Sequence, residues 1–374
     1  MILQKLLMIN FRSYQYQEID FHPSFNLFLG GNAQGKTNIV EAIHLCAKGR
    51  SFKNVRDHEM IRFGERSCYV RADMNIHGRS KQVECKLSMV DPKRVRINQI
   101  EIENIKELSN QFDLVLFAPE DLKIIQSGPF YRREFINEIL KGLDPKYVSI
   151  LSEYRKILFQ RNKFLKGNHD QWFDQQMKAL DTQLIELAFP IHKLRIEVSK
   201  LMEEWFNFYH QRLTLSEDVI SFSYQSNISS DTKDKEEFQD LYREKLQESL
   251  ERDCQQGNTD IGPHKDDWEI SISGLSSRKY ASQGQVRTLV LALKLAEAAM
   301  YKKINQTEPI LLLDDVFSEL DEARANNLLQ AIKEYQSMIT TNDWRKKSLL
   351  EGSVFQIEKG HVLRKENYGK ESRV

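Results

Sequence analysis

The sequence predicts an α/β protein in which a mixed sheet surrounds a phosphate-binding loop, with an antiparallel β part and an inserted helical lobe. Three observations predict this fold. Residues 25–46 read as a strand, a glycine-rich turn and a helix, and residues 310–315 (ILLLDD) place two carboxylates after a short apolar strand. Between them, residues 130–212 show apolar residues at helical spacing and no alternating stretch.

The elements follow in chain order. Alternating apolar residues predict strands in 1–10, 18–21, 68–74, 82–89 and 94–102, which we expect to form one antiparallel set. Further strands are predicted at 112–117, 219–224, 268–274, 310–313 and 338–341, and helices at 234–253, 283–303 and 321–335. Asp144-Pro145 and Pro190 are expected to punctuate the helices of 130–212, and the polar residues beyond about 362 predict a frayed tail.

These elements suggest three parts. Residues 1–125 are the N-terminal part of a nucleotide-binding lobe, 126–215 the inserted helical lobe, and 216–374 the C-terminal part of the first lobe. The division follows if the two ends of the chain share one site.

The stretch FNLFLGGNAQGKTNIVEAIHLC carries the first half of that site. Its phosphate-binding pattern consists of Gly30, Gly31, Asn32, Ala33, Gln34, Gly35, Lys36 and Thr37. Glycines at both ends allow a tight turn whose N–H groups face phosphate oxygens, and the helix N-terminus adds positive potential. The lysine of this pattern reaches the β- and γ-phosphates, and the threonine hydroxyl can ligate Mg²⁺. The alternative is a glycine turn before an ordinary helix.

The stretch ILLLDD supplies the second half. A buried strand would fix Asp314 and Asp315 at its C-terminal edge, where ligands of α/β proteins bind. Asp314 is placed to hold Mg²⁺, and Asp315 to orient or activate an attacking water. Alone this pattern is weak, because many strands end in acids at turns.

A third segment, Ser282, Gln283, Gly284 and Gln285, opens an Ala/Leu-rich helix. A serine, a glycine and a helix N-terminus make a smaller anion site. Since one nucleotide does not need two such helix starts, we expect this segment to close over a nucleotide held by a second copy of the chain. The alternative is a plain N-capping serine.

Composition limits the remaining possibilities. Of 374 residues, 40% are hydrophobic and 29% charged, and no apolar run approaches the roughly 20 residues of a membrane helix. The N-terminus lacks the features of a signal peptide, so we expect a cytoplasmic protein. The four cysteines, Cys46, Cys68, Cys85 and Cys254, form no C-x-x-C pair and are predicted to be free thiols.

The motifs GGNAQGKT, ASQGQVRTL and LLLDDVFSELD, together with NFRSY at 10–14, FAPEDL at 117–122 and GPHKDD at 262–267, resemble the ABC-type ATPases of the Rad50/SMC class. The likeness spans residues 1 to about 345 and is strongest to the bacterial recombination-repair members. It implies an ABC-type ATPase head that binds ATP and Mg²⁺, dimerises head to tail on ATP and hydrolyses it weakly.

The resemblance also implies roles and partners. Residues 30–37 would be Walker A, Asp314 and Asp315 Walker B, residues 282–285 the signature used in trans, and 318–321 the D-loop, with Arg12 and Ser13 near the nucleotide. It implies DNA as a partner (single-stranded, gapped or double-stranded), action with RecO and RecR at gaps and stalled forks, recombinase loading and SOS induction.

The chain departs from the broader ABC pattern in three places. Asp315 stands where most relatives have a glutamate, and its shorter side chain fits slow turnover. Residues 340–342 (TTN) stand where a histidine is usual. No clear Q-loop glutamine follows residue 117, so Glu120 or Asp121 is left as the candidate.

DNA contacts are predicted only from basic residues, because 54 basic and 54 acidic residues give a net charge of zero. The candidates are Arg50, Lys53, Arg56, Arg132 and Arg133, with further patches at Lys48, 93–96 and 155–166. Each can equally be a solvated basic face. His264 is placed either near the nucleotide or in a turn, with the turn favoured.

Other classes also use these motifs. A transporter ATPase subunit would share them, but 282 − 37 = 245 residues separate the phosphate loop from the signature segment, and no membrane-docking segment is visible. An SMC-like linker would need a longer coiled coil. A nucleotide-dependent docking protein that never grips DNA remains open.

Overall fold

The structure, a computed structural model, describes residues 1–105, 108, 112–167, 171–229, 232, 234–342 and 351–368, apart from the side chains of residues 319 and 368. Two compact units emerge. The first comprises Met1–Asp121, Arg212–Leu215 and Lys294–Val374, and the second comprises Leu122–Gln211 and Ser216–Leu293. The ends of the chain therefore meet in the first unit.

The first unit contains two six-stranded sheets. An antiparallel sheet has the order β2-β1-β4-β5-β6-β7, and a mixed sheet the order β15-β14-β3-β13-β12-β8. Their strands are β1 Ile2–Phe11, β2 Tyr14–Asp20, β3 Phe25–Leu29, β4 Ser67–Ile76, β5 Arg79–Ser88, β6 Arg94–Ile97, β7 Ile100–Glu101, β8 Leu114–Phe117, β12 Ile310–Asp314, β13 Ser337–Thr341, β14 Gly352–Glu358 and β15 His361–Tyr368. β14, β3, β13, β12 and β8 run parallel, and β15 is antiparallel to β14.

Helix α1 (Lys36–Lys48) lies at the centre of the first unit. It contacts β1, β4 and β5 of the antiparallel sheet and β12 and β13 of the mixed sheet. Its residues Ile39 through Ala47 are all buried, as expected for a helix covered on every side. One core therefore joins both sheets and fixes the first turn of α1 at the edge of the mixed sheet.

The second unit joins helices to a three-stranded antiparallel sheet of order β11-β10-β9, formed by β9 Ile220–Gln225, β10 Asp267–Ile272 and β11 Leu275–Ser276. Its helices are α2 Leu122–Gln126, α3 Pro129–Leu143, α4 Pro145–Leu165, most of α5 Phe173–Thr214, α6 Lys235–Gln256 and α7 Ser277–Tyr280. Helix α8 (Gln283–Asn305) begins in this unit and continues into the first, which also holds α9 (Glu322–Ala331).

This division differs from the sequence-based one for residues 216–293, which were assigned to the first lobe. Buried polar contacts tie β9 and β10 to the helices instead. Trp268 Nε1 donates to Ser199 Oγ at 2.7 Å, and Arg195 pairs with Asp266 at 2.8 Å. Periodicity alone could not show which helices these strands pack against.

Two expectations are wrong. Pro190 lies inside the 42-residue helix α5 rather than ending a helix. Its neighbours Ala188 and Ile191 are fully buried, and this packing offsets the roughly 3 kcal/mol that an internal proline costs.

The polar tail is also ordered as far as residue 368, because β14 and β15 form a hairpin beside β3. Its two turn residues, Lys359 and Gly360, both have positive φ, the conformation that a type I′ hairpin turn requires. Phe355 and Ile357 of β14 are buried, whereas most of β15 is exposed. Because this edge strand is charged and exposed, its sequence resembles that of a frayed tail.

Candidate functional site

The phosphate loop connects β3 to α1, as the sequence predicts. Gly35 has φ 111°, and a Cβ there would lie 2.9 Å from Ser13 Oγ, so the close approach of the 10–14 segment requires glycine. A Cβ on Gly30 would collide with the Ile357 carbonyl of β14. Tyr14 OH donates to the Gly35 carbonyl at 3.1 Å. The loop is therefore held by the hairpin β1–β2 and by the C-terminal hairpin.

Lys36 is buried beneath this loop. Its Nζ donates to the carbonyls of Gly30 and Gly31 and to Asn342 Oδ1, each at 2.7 Å. Burial lowers the pKa of Lys36, and the carboxylates of Asp315 and Asp314 partly oppose that shift. The ammonium group is thus held at the loop by neutral oxygens, which a phosphate could replace.

Thr37 connects the two halves of the site. Its hydroxyl donates to Asp314 Oδ1 at 2.8 Å, and Asp314 also accepts from Thr340 Oγ1 at 2.8 Å. Burial raises the pKa of Asp314, while these two hydroxyls act in the opposite direction. Because β3, β13 and β12 are parallel neighbours, the residues at and just beyond their carboxyl ends meet at one edge of the sheet.

Asp315 adopts a left-handed conformation with φ 54°, which is uncommon outside glycine. Its N–H donates to Thr340 Oγ1 at 2.9 Å. Its buried Oδ1 has no hydrogen-bond partner among the described residues. An unsatisfied carboxylate oxygen at this position can accept a hydrogen bond from a water molecule or coordinate a cation.

These residues surround a cavity of about 380 Å³, whose lining comes entirely from the first unit. The lining includes residues 32–38, Lys53, Asp315, Thr340 and Asn342. The residues present fit a nucleoside triphosphate with Mg²⁺, because the cavity joins a glycine loop, a lysine and the unsatisfied oxygen of Asp315. Thr37 and Asp314 supply the hard oxygen ligands that Mg²⁺ prefers.

A buried ion cluster supports the back of α1. Glu41, fully buried, accepts from Arg12 Nη2 at 2.6 Å and Arg12 Nε at 2.9 Å, and from Ser51 Oγ at 2.5 Å. Burial works against its charge, but the bonds from Arg12 and Ser51 outweigh it, and the pKa of Glu41 is lowered. Arg12 is thereby fixed beside the phosphate-loop helix.

Sequence reasoning missed Glu41, Thr340 and Asn342. Asn342 Nδ2 donates to Asn32 Oδ1 at 2.8 Å, so this residue contacts both the loop and Lys36. The available signal was position: residues 340–342 lie at the end of, and just after, a strand that runs parallel to the phosphate-loop strand. The prediction noted only that a histidine is absent there.

The segment 282–285 opens α8 in the second unit. Ser282 Oγ accepts from the Gln285 N–H at 3.3 Å, and Gln285 Oε1 accepts from the Ser282 N–H at 2.9 Å, which is a capping box. The N-capping alternative is therefore realised. Ser282, Gln283 and Gln285 are nevertheless exposed, so the segment is accessible.

The predicted DNA contacts separate into different environments. Arg50 and Arg56 are exposed, whereas Lys53 lines the cavity and lies 3.7 Å from Glu41 Oε2. Arg132 is a correction: it is buried and forms two hydrogen bonds with Asp267, at 2.7 and 2.9 Å, so its charge is used inside the second unit.

Several smaller expectations can now be placed. Asp121 Oδ2 accepts from the Ala118 N–H at 2.8 Å, and Glu120 is exposed. His264 bonds Tyr154 OH and the Thr259 carbonyl within the second unit, in a turn as favoured. All four cysteines are free. Across the described part of the chain, no helix is long and apolar enough to cross a membrane.

Comparison with known proteins places this chain in a class. The family model of the RecF/RecN/SMC N terminal domain matches residues 2–347. The structure is also similar to an Smc head domain bound to ScpA, with a TM-score of 0.57 at 15% identity over 96% of this chain and 94% of the other, which supports the fold alone. The fold is that of the RecF/RecN/SMC class of ATPase heads.

Closer relatives narrow the class. The chain is 36% identical to the DNA replication and repair protein RecF of Clostridium acetobutylicum, over 97% of this chain and 99% of that one. It is 39% identical to RecF of Ruminiclostridium cellulolyticum, with the same coverage. A solved structure described as the recombination mediator protein RecF with ATP, of the RecFOR pathway, superposes with a TM-score of 0.88 at 30% identity, covering 98% of this chain and 97% of that one. The chain belongs to the RecF family of DNA replication and repair proteins.

Proposed function

We propose that this chain is an ATP-gated DNA-binding protein of recombinational repair and replication-fork maintenance. The observation that carries the proposal is the contact of Thr37 with Asp314, which assembles a phosphate loop and two carboxylates from opposite ends of the chain. RecF relatives with ATP and with ATPrS have been solved, and their likeness to this chain supports ATP as the nucleotide.

Each side chain has a defined task in this proposal. Lys36 would exchange its loop carbonyls for the β- and γ-phosphates, and Thr37 with Asp314 would hold Mg²⁺. Mg²⁺, when bound, would neutralise charge on the phosphates. Asp315 would orient a water through its unsatisfied Oδ1, and its short side chain fits weak hydrolysis. The protein would then act mainly as a switch.

The switch would be completed by a second copy. Ser282, Gln283 and Gln285 are exposed at the start of α8, where a helix N-terminus favours an anion. We propose that this segment of one subunit covers the nucleotide of the other, giving an ATP-dependent homodimer. RecO and RecR as partners, recombinase loading at single-strand gaps, SOS induction and a cytoplasmic location belong to the same proposal.

Salt-dependent DNA binding tests the function. Labelled single-stranded, gapped and double-stranded DNA are titrated with and without ATP at several salt concentrations. We expect ATP to strengthen binding and affinity to fall with salt, since phosphate contacts release counterions. DNA binding that is absent at low salt with ATP would overturn the proposal and favour a docking protein that never grips DNA.

A further inference from the structure

The second unit contains a separate cavity, of about 170 Å³, that plays no part in the nucleotide site. Helices α3, α4 and α5 and the 262–264 turn line it. We call it the arginine cavity, because Arg133, Arg155 and Arg195 all line it. At this size it can receive one small group rather than a whole nucleotide, since drug-sized pockets measure roughly 300 Å³ or more.

The 262–264 turn packs closely against α4 at the arginine cavity. Gly262 has φ 138°, and a Cβ there would lie 2.5 Å from the Tyr154 hydroxyl, so the close approach of this turn requires glycine. His264 Nε2 bonds the Thr259 carbonyl at 2.9 Å and must carry the proton, which leaves Nδ1 to accept from Tyr154 OH at 2.7 Å. Burial lowers the pKa of His264 to about 4, so its ring is neutral near pH 7.

Positive charge in the arginine cavity exceeds what its contacts neutralise. Arg155 pairs with Glu134 at 2.8 Å, and Arg195 pairs with Asp266 at 2.8 Å. Arg133 Nη1 donates to the Asp266 main-chain carbonyl, a neutral acceptor, at 2.8 Å. Three guanidinium groups therefore face two carboxylates in these contacts.

Two further observations favour an anion in this cavity. Arg195 is 1% exposed, and its buried Nε has no hydrogen-bond partner among the described residues. Burial, with the neighbouring charge of Arg195, also lowers the pKa of Arg133. An oxyanion in the cavity would balance this charge and relieve the repulsion between the two guanidinium groups.

The rim of the arginine cavity is aromatic. Phe130, which lines the cavity, is 60% exposed, and its ring lies 5.4 Å from that of Tyr131 in an edge-to-face arrangement. Exposed rings beside cations are the combination with which proteins bind single-stranded nucleic acid, because bases stack on the rings while the cations hold the backbone.

We propose that the arginine cavity receives a backbone phosphate of single-stranded DNA, and that Phe130 stacks on an adjacent base. The inference rests on the proposed DNA-binding function and gives that function a specific site in the second unit. Arg155 and Phe130 are the accessible members, whereas Arg195 is too buried to be changed without risk to folding.

Matched variants test this site in the 374-residue chain. Arg155→Glu is compared with Arg243→Glu, because both arginines have side chains 52% exposed and both pair with one acid. Phe130→Ala is compared with Phe208→Ala, a phenylalanine that is 44% exposed on α5 and lies outside the predicted basic patches. Circular dichroism and thermal melting establish that all four variants fold.

Binding is measured with a labelled oligo-dT of about 20 nucleotides. We expect Arg155→Glu to weaken binding about fivefold or more and to reduce the log–log salt slope by roughly 0.7, the value for one single-strand phosphate contact. Phe130→Ala should lose about fivefold, within the range for one stacked base. The two control variants should change less than about twofold by the same measure.

The outcomes separate the two proposals. A wild-type protein that binds no DNA overturns the proposed function and this inference together. If the wild type binds DNA and the Arg155→Glu and Phe130→Ala variants bind it with the same affinity, the inference alone is overturned. Inorganic phosphate is added as a second probe at constant ionic strength. The assignment to DNA is wrong if phosphate raises the melting temperature of the wild type but not of Arg155→Glu, while the two proteins bind DNA with the same affinity.

Discussion

The Thr37 hydroxyl donates to Asp314 Oδ1 at 2.8 Å across 277 positions of sequence. This contact links the two halves of the candidate site, because it joins the first turn of α1 to the end of β12. Thr340 from the strand between them bonds the same carboxylate oxygen. The site is therefore preorganised by three neighbouring parallel strands.

Lys36 is expected to be required for nucleotide binding. In Lys36→Ala, ATP affinity should fall roughly ten- to a hundredfold, the worth of charge-assisted hydrogen bonds, and ATP-dependent dimerisation should be lost. Lys81→Ala is the control, since the pKa of Lys81 is also lowered by burial but the residue lies on β5. Calorimetry with ATP measures the affinity, and an ATP-driven dimer of Lys36→Ala would contradict the role.

Thr340 is expected to hold Asp314 and Asp315 together. Thr340→Val keeps the shape but removes the hydroxyl that bonds both residues, which should cost about 1–3 kcal/mol of unfolding free energy. ATP hydrolysis should also fall. Thr340→Ser restores the hydroxyl and should recover most of both. Urea unfolding and ATPase rates check this. If Thr340→Val and Thr340→Ser have equal unfolding free energies and equal ATPase rates, the bridging role is refuted.

Asp315 is expected to act in hydrolysis rather than in binding. Asp315→Asn should retain ATP, slow hydrolysis by on the order of a hundredfold, and leave the ATP dimer trapped on DNA. Glu322→Gln, an exposed acid at the start of α9, is the control. Single-turnover hydrolysis gives the rate, and a wild-type rate in Asp315→Asn would show that another group activates the water.

His264 predicts a pH dependence of stability. Its folded pKa of about 4 lies below its ordinary value of 6.5, so the unfolded chain binds the proton more readily. The neutral ring therefore contributes about 3 kcal/mol to the free energy of unfolding above pH 6.5. This contribution is lost as the pH falls towards 4. Urea midpoints at pH 7, 5.5 and 4.5 should therefore fall less steeply in His264→Gln. Parallel curves for variant and wild type would contradict this.

The sequence predicted the motif-bearing elements well because each has a strong local signal. The strand, loop and helix at 25–46 and the apolar run before Asp314 combine periodicity with glycines or acids at fixed positions. The roles of Thr340, Asn342 and Glu41 depend on which strands are neighbours, and a local pattern carries no such information.

Charge patterns were the least informative signals. Arg132 looked like a surface residue but is buried with Asp267, and the charged residues 361–368 form an edge strand. A buried arginine and a solvated arginine look the same in a sequence, because only the tertiary partner of the guanidinium group distinguishes them. The strands at 219–224 and 268–274 were predicted, but their packing with the helices of the second unit depends on tertiary contacts in the same way.

The central claim is that each nucleotide site is completed by residues 282–285 of a second copy. Sedimentation velocity of wild type and Ser282→Arg, each with and without ATP and with bound ATP measured in parallel, tests it most directly. We predict that ATP converts the wild type to a dimer, whereas Ser282→Arg binds ATP but stays monomeric. A Ser282→Arg protein that dimerises on ATP as the wild type does would contradict the account.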